Sequence, residues 1–265
     1  MDFPVYLTIG SLRIHPHVLF ESLSYFIGFR VYLWTRRPSG MSALMSLQIL
    51  AGTILGAAIG AKLLFWLEDP VATWEHLSQG QLLWGGKTIV GGLLGGLIGV
   101  ELTKRWVGWS QSTGDDFVYP LMLGLCIGRI GCFLTGLTDH TYGTPTTWIT
   151  GVDFGDGVAR HPAQLYEIFF LIILAILLIP LNRQSRGKSS TSTQVKYVSG
   201  RMFQWFMAGY LLFRLGIEWI KPTPHPYLGL NNIQLACIAG VLYYAWLIYG
   251  RKKVGHQITS TNMQA

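Results

Sequence analysis

The sequence predicts an all-α integral membrane protein with about seven transmembrane helices. Three observations predict it. Half of the 265 residues are hydrophobic and only 12% are charged, where a soluble domain carries about 25% charge. Seven apolar stretches are long enough, or nearly so, to cross a hydrocarbon core about 30 Å thick. Basic residues gather on one side of the membrane if those stretches alternate in direction.

The stretches run over residues 15–34, 43–67, 88–103, 117–136, 163–181, 202–220 and 232–249. Before the first, the start MDFPVYLTIGSLRIHPHVLF has no basic region followed by a small-residue cleavage site, so the first span is expected to be retained. Between the second and third, LEDPVATWEHLSQGQLLWGGK carries Trp66, Trp74 and Trp84, which suit the interfacial aromatic belt. The third span is short and glycine-rich (GGKTIVGGLLGGLIG, residues 85–99). Small residues at helical spacing let helices approach closely, the expected role of Gly95, Gly96 and Gly99. Gly85, Gly86, Gly91 and Gly92 lie at the outer end, where bare backbone could also face a headgroup. No GxxxxGK[ST] loop is present, so this is not a nucleotide phosphate site.

Arg36 and Arg37 follow the first span. Lys104 and Arg105 follow the third. Arg183, Arg186, Lys188, Lys196 and Arg201 lie between the fifth and sixth, and Arg251, Lys252 and Lys253 follow the last. These twelve share one side; only Arg13, Lys87, Arg160 and Lys221 fall on the other. The positive-inside rule puts the twelve in the cytoplasm, the N-terminus outside and the C-terminus inside. The net charge of +7 then reads as topology and attraction to anionic lipid, not nucleic-acid binding. The chain is expected to form one transmembrane domain over 1–265, with a flexible cytoplasmic loop at 182–201 and a polar tail at 254–265. Its three cysteines, Cys126, Cys132 and Cys237, lie in apolar segments without a CxxC. They give neither a disulfide framework nor a zinc signature.

Arginine inside a span costs a few kcal/mol or more, roughly, and is kept where it lines a cavity or meets an anion. Arg129 stands in YPLMLGLCIGRIGCFLTG and Arg214 in FMAGYLLFRLGIEWI. The anion at hand in a bilayer is a phospholipid phosphate, which a guanidinium grips through two hydrogen bonds. Gly128 and Gly131 flank Arg129 and allow close approach to the same ligand. RHPAQLYE opens the fifth span, bringing Arg160, His161, Gln164, Tyr166 and Glu167 to its outer turn, with Pro162 suited to a first helical turn. Glu218 follows Arg214 at i+4, on the same helix face; this pair could serve packing alone. Asp139, His140, Tyr142 and Gly143 cluster in TGLTDHTYGTPTTW, where a carboxylate and an imidazole near a phosphate could accept a thiol or hydroxyl proton. Lys62, in mid-span, is open to a phosphate or to a carboxylate such as Glu218.

GRIGCF, YGTPT, RHPAQLYE and FRLGIEW, with the glycine runs around residues 85–96, resemble the bacterial prolipoprotein diacylglyceryl transferases along most of the chain. The resemblance implies seven spans with the N-terminus out, in a bacterial plasma membrane, and an active site towards the outer leaflet. It implies transfer of diacylglyceryl from phosphatidylglycerol to the lipobox cysteine of a preprolipoprotein, giving a thioether and glycerol phosphate. No metal or other cofactor is implied. Arg129 and Arg214 match the family's motif arginines and are expected to hold the phosphate; Glu218 matches the acidic residue one turn later. Asp139, with His140 or His161, is expected to handle the thiol proton. Departures are specific: Val90 replaces a histidine of the glycine-rich segment, and Cys132, Thr135 and Leu137 replace residues of a GRxGNFxN-Gly-Glu pattern. With a small insertion before Tyr142-Gly143, Asp139 would replace the missing glutamate. Rival readings are another acceptor on the same fold, an inactive paralogue that binds lipid or lipoprotein, and a small-solute transporter, although no inverted repeat is visible.

Overall fold

The computed structural model describes residues 3–37, 40–76, 86–186 and 200–261. In chain order the elements are the hairpin strands β1 (Leu7–Ile9) and β2 (Leu12–Ile14), helices α1 (Pro16–Thr35), α2 (Ala43–Trp66), α3 (Pro70–His76), α4 (Ile89–Trp106) and α5 (Val118–Thr135), strands β3 (Val152–Asp153) and β4 (Ala159–Arg160), and helices α6 (Ala163–Arg186), α7 (Arg201–Ile217) and α8 (Asn232–Thr261). Each of the seven apolar stretches holds one long helix. Among the described residues, four segments, Ala43–Trp66, Gly114–Asp139, Ala163–Arg183 and Asn232–Gly250, are long and apolar enough to cross a membrane.

The all-α expectation needs one amendment. Among the described residues two small antiparallel hairpins are present, β1 with β2 and β3 with β4. The first precedes α1 and turns at Gly10-Ser11, and the second lies in the glycine-containing connection between α5 and α6; in each, strand pairing satisfies backbone groups that no helix covers. Two expected boundaries also move. α6 runs on to Arg186 and α8 to Thr261, because the polar residues that follow each apolar stretch include no proline to stop the helix. Residues 187–199 of the expected loop, residues 262–265 of the expected tail, and Trp84 and Gly85 lie outside the described residues.

The helices group into two compact units. One comprises Met1–Arg37 and Ser112–Pro222, the other Pro38–Gln111 and Thr223–Ala265.

In the second unit, α2 and α4 meet along glycines spaced four apart, Gly52, Gly56 and Gly60 against Gly91, Gly95 and Gly99. A Cβ on Gly95 would stand 2.3 Å from the Gly56 carbonyl oxygen, and one on Gly99 2.2 Å from that of Gly52. Only hydrogen fits, and the two backbones touch. Gly91 belongs to the same seam: its Cβ would meet the Gly60 carbonyl at 2.3 Å, so it packs on α2. Ser42 and Thr88 cap the two helices, accepting from the Met45 and Gly91 amides. Asn232 donates to the Leu64 carbonyl and Tyr227 Oη to that of Leu67 at 2.9 Å, tying α8 to α2. Lys62 Nζ donates to the Gly86 carbonyl at 3.1 Å, and Val90 is fully buried.

In the first unit, α1, α5, α6 and α7 carry the polar chemistry. Pro16 opens α1 and His15 caps it through Nδ1 to the His17 amide. Gly131 of α5 lies against Phe20 of α1; a Cβ there would be 2.6 Å from the Phe20 Cβ. Gly136 ends α5 with φ +72, a conformation glycine adopts without strain, and a 3₁₀ turn over Gly136–Asp139 follows. Stacked Phe170 and Phe213, 4.3 Å between ring centres, join α6 to α7. The start of α7 is capped from a distance: Asp115 accepts from the Gly200 and Phe203 amides at 2.7 and 2.9 Å.

Candidate active site

Arg129, buried in the last third of α5, donates Nη2 to Glu167 Oε2 at 2.7 Å. Glu167 projects from the second turn of α6 and is itself buried. Arg214, near the end of α7, places Nη1 3.6 Å from the same Glu167 oxygen and pairs through Nη2 with Glu218. Lys221 donates to Glu218 Oε1 at 3.2 Å, and Tyr210 Oη donates to Glu167 Oε1 at 2.7 Å. The two buried arginines therefore share one carboxylate.

Among the described residues three cations face two carboxylates here, which leaves one positive charge in excess. Both arginines also keep a buried Nε–H without a hydrogen-bond partner among the described residues. An unsatisfied buried donor is costly, and an uncompensated buried charge more so. An anion with several acceptor oxygens removes both penalties. Burial and the neighbouring Arg214 push the Lys221 ammonium down to about 8, against the opposing pull of Glu218.

The YGTPT segment and the start of RHPAQLYE lie beside the end of α7. The Gly143 amide donates to the His161 carbonyl at 2.8 Å, Thr144 to the Ile220 carbonyl at 2.6 Å, and His161 to the Thr144 carbonyl at 3.1 Å. A Cβ on Gly143 would be 2.6 Å from the His161 Cβ, so the register needs glycine there. His161 Nδ1 lies 3.1 Å from Tyr166 Oη, which also meets Thr150 Oγ1 at 2.7 Å. Arg160 lies apart from the buried cluster. It forks onto Asp156 through two 2.7 Å bonds and covers the Tyr142 ring. Each of that pair shifts the other, Arg160 upwards and Asp156 downwards, chiefly through these hydrogen bonds.

A second polar group gathers where α5 ends. Asp139 Oδ1 lies 2.7 Å from His17 Nδ1, while Thr141 Oγ1 donates to Oδ2 at 2.6 Å and Gln164 Nε2 donates to Thr141 at 3.0 Å. Cys132 Sγ lies with these donor atoms, and Arg129 Nη1 reaches it at 4.0 Å. The imidazole beside Asp139 is thus that of His17. His140 is exposed in the left-handed region at φ +54, its ring next to Tyr142, and His161 is bound to Tyr166. Of the flanking glycines, Gly131 is used in packing on α1, whereas a Cβ on Gly128 would meet nothing within 4 Å. Thr135 bonds back to the Gly131 carbonyl at 2.8 Å.

Sequence reasoning missed Tyr210, Lys221 and His17. Lys221 is readable as a basic residue at i+3 from Glu218. His17 sits in a His-Pro-His start to the first span, a signal that only proximity to Asp139 makes meaningful.

Comparison with known proteins decides the family. The model of the prolipoprotein diacylglyceryl transferase family matches residues 4–250. The chain belongs to this family. Among its relatives, the phosphatidylglycerol–prolipoprotein diacylglyceryl transferase of Solidesulfovibrio magneticus is 32% identical over 94% of this chain and 94% of its own. That of Bordetella parapertussis is 32% identical over 86% and 85%, and that of Aromatoleum aromaticum 29% over 89% and 90%. Family membership makes the chain a transferase of lipoprotein biosynthesis and agrees with its apolar helices.

Proposed function

We propose that this chain transfers diacylglyceryl from phosphatidylglycerol to the lipobox cysteine of a preprolipoprotein. The reading places it in a bacterial plasma membrane with seven spans, the N-terminus outside, the C-terminus cytoplasmic and the site towards the outer leaflet. The observation that carries it is the buried cluster around Glu167: two arginines, one surplus positive charge and two unspent Nε donors, in a protein of this family.

In the reaction the acceptor thiol gives up its proton, since thiolate is the nucleophile. Its sulfur bonds to the glyceryl carbon, the C–O bond to phosphate breaks, and glycerol phosphate leaves with the electron pair. Arg129 and Arg214 stabilise the charge that builds on the leaving phosphate, more in the transition state than in the ground state. Glu167, oriented by Tyr210, holds the two guanidiniums at one place before lipid arrives. Glu218 and Lys221 fix Arg214. Asp139 keeps its expected place in thiol handling, with His17 as its partner. Gln164 acts through Thr141 on Asp139, and Tyr166 with His161 shapes the segment next to the α7 end.

Labelled transfer from phosphatidylglycerol to a lipobox peptide by the purified protein, with complementation of a strain depleted of its own transferase, tests this. Both should succeed. Lipid binding without transfer in either assay refutes it.

A further inference from the structure

We infer that His17, Cys132 and Asp139 form a zinc site that binds the acceptor thiol as thiolate. The inference rests on the transferase reading for the identity of the thiol, but the metal site itself does not.

The three side chains come from different places: the first turn of α1, the last turn of α5 and the 3₁₀ turn after it. One donor atom from each, Nδ1 or Nε2, Sγ and a carboxylate oxygen, lies within 4.8 Å of the others. A tetrahedral zinc with bonds of about 2.0–2.3 Å spaces its donors by roughly 3.3–3.8 Å, so opening the 2.7 Å His17–Asp139 contact by about 1 Å makes room for the ion. Nitrogen, thiolate and carboxylate are zinc's own ligand types, and three protein ligands with one open position is the catalytic pattern.

The outer atoms are already engaged. His17 turns Nδ1 towards Asp139 and Nε2 towards Glu21, whose Oε2 is 3.3 Å away. A carboxylate on the far nitrogen of a metal-binding histidine fixes its tautomer and orientation. Asp139 points Oδ1 inward while Oδ2 accepts from Thr141, held in turn by Gln164. Cys132 is 9% exposed and His17 about one third exposed at its side chain. The group is therefore closed on the Cys132 side and reachable on the His17 side, where a fourth ligand can enter.

The chemistry fits the place. A coordinated thiol is deprotonated outright, which removes the need for a base tuned to a thiol. The acceptor R–SH gives its proton to solvent and binds as R–S⁻. Its sulfur pair then forms the C–S bond as the C–O bond breaks towards phosphate, and no further reactant is consumed. Arg129 Nη1, 4.0 Å from Cys132 Sγ, links this group to the arginine cluster.

The test is a Co²⁺ titration of the purified full-length protein in detergent micelles, followed by absorbance. One equivalent should bind, with a sulfur-to-cobalt charge-transfer band, and Zn²⁺ should displace it. Cys132→Ser should remove the band, and Asp139→Asn and Glu21→Gln should each weaken binding at least about tenfold. Cys126→Ser, a folded control with the other α5 thiol removed, should change neither. A lipobox peptide should raise the charge-transfer absorbance as its thiolate enters. Absence of stoichiometric binding, or a band that survives Cys132→Ser, overturns the site; binding with no spectral response to the peptide overturns its role. Transfer without metal binding removes only this inference, and metal binding without transfer removes only the transferase reading.

Discussion

The α2–α4 seam and the Glu167 cluster solve opposite problems with opposite residues. The seam is built on glycine backbone, with only the Thr88 and Thr103 hydroxyls beside it. Gly56 and Gly60 face Gly91, Gly95 and Gly99 so closely that a carbonyl oxygen occupies the space of each missing Cβ, and at Gly52 the Thr103 hydroxyl occupies it. In lipid, burying apolar side chains brings no advantage, because the tails are as apolar as leucine; close backbone contact supplies the attraction. The Glu167 cluster buries Arg129, Arg214, Glu167 and Glu218, the costliest side chains for such a place. Its polar groups hold one another at the price of a charge left over. The difference teaches that α2 and α4 associate through glycine backbone without charged side chains, whereas the Glu167 cluster brings charged side chains from α5, α6 and α7 together.

Breaking the cluster should have the largest effect. Arg129→Ala and Arg214→Ala should each lower labelled transfer by about 10²-fold or more, as for loss of a transition-state donor. Arg129→Lys, which keeps charge but loses the fork, should recover only part of that rate. Wild-type rates in both alanine variants would remove the phosphate role. Glu167→Gln should come next. With both guanidiniums deprived of their shared counter-charge, the detergent-solubilised protein should lose about 3–5 kcal/mol in a thermal or denaturant melt.

Breaking the seam should act on stability instead. Gly95→Leu forces a side chain into the Gly56 carbonyl and should cost about 1–3 kcal/mol. The KM for lipid in the fraction that stays folded should be unchanged; a shifted KM with an unchanged melt would contradict the division between seam and cluster.

A smaller, graded effect is expected from pH. Lys221 is pushed down to about 8, so its charge is present below that pH and lost as pH rises through it. The cluster's surplus positive charge goes with it, and transfer should weaken on the alkaline side of 8. Lys221→Met should flatten that limb of the profile. The smallest effect is expected at the exposed Asp156–Arg160 fork, where solvent screens the pair: Asp156→Ala should leave the melting midpoint and the transfer rate unchanged within error.

Much of the fold was legible because helix length and polarity are local. The seven apolar stretches each hold a long helix, and GRIGCF and RHPAQLYE stood out because charge is rare among apolar residues. The sequence places Glu167 on the outer turn of the fifth span, but its position between two arginines 38 and 47 residues away along the chain depends on how α5, α6 and α7 pack. The strands β3 and β4 are two residues each, too short to leave a periodic signal. The partner of Asp139 was sought in His140 or His161, but the left-handed His140 turns its ring outward, His161 meets Tyr166, and a helix start more than a hundred residues earlier supplies the imidazole.

By itself the sequence determined which segments are apolar, where cations interrupt them, and which backbone positions carry no side chain, since each of these is a property of composition over a few turns. Only the tertiary structure decided that Arg129 and Arg214 meet on Glu167, that Asp139 faces His17, and that Cys132 lies between those two groups. Ion pairs and ligand sets act over a few ångströms between residues remote in the chain, and nothing local encodes such a distance.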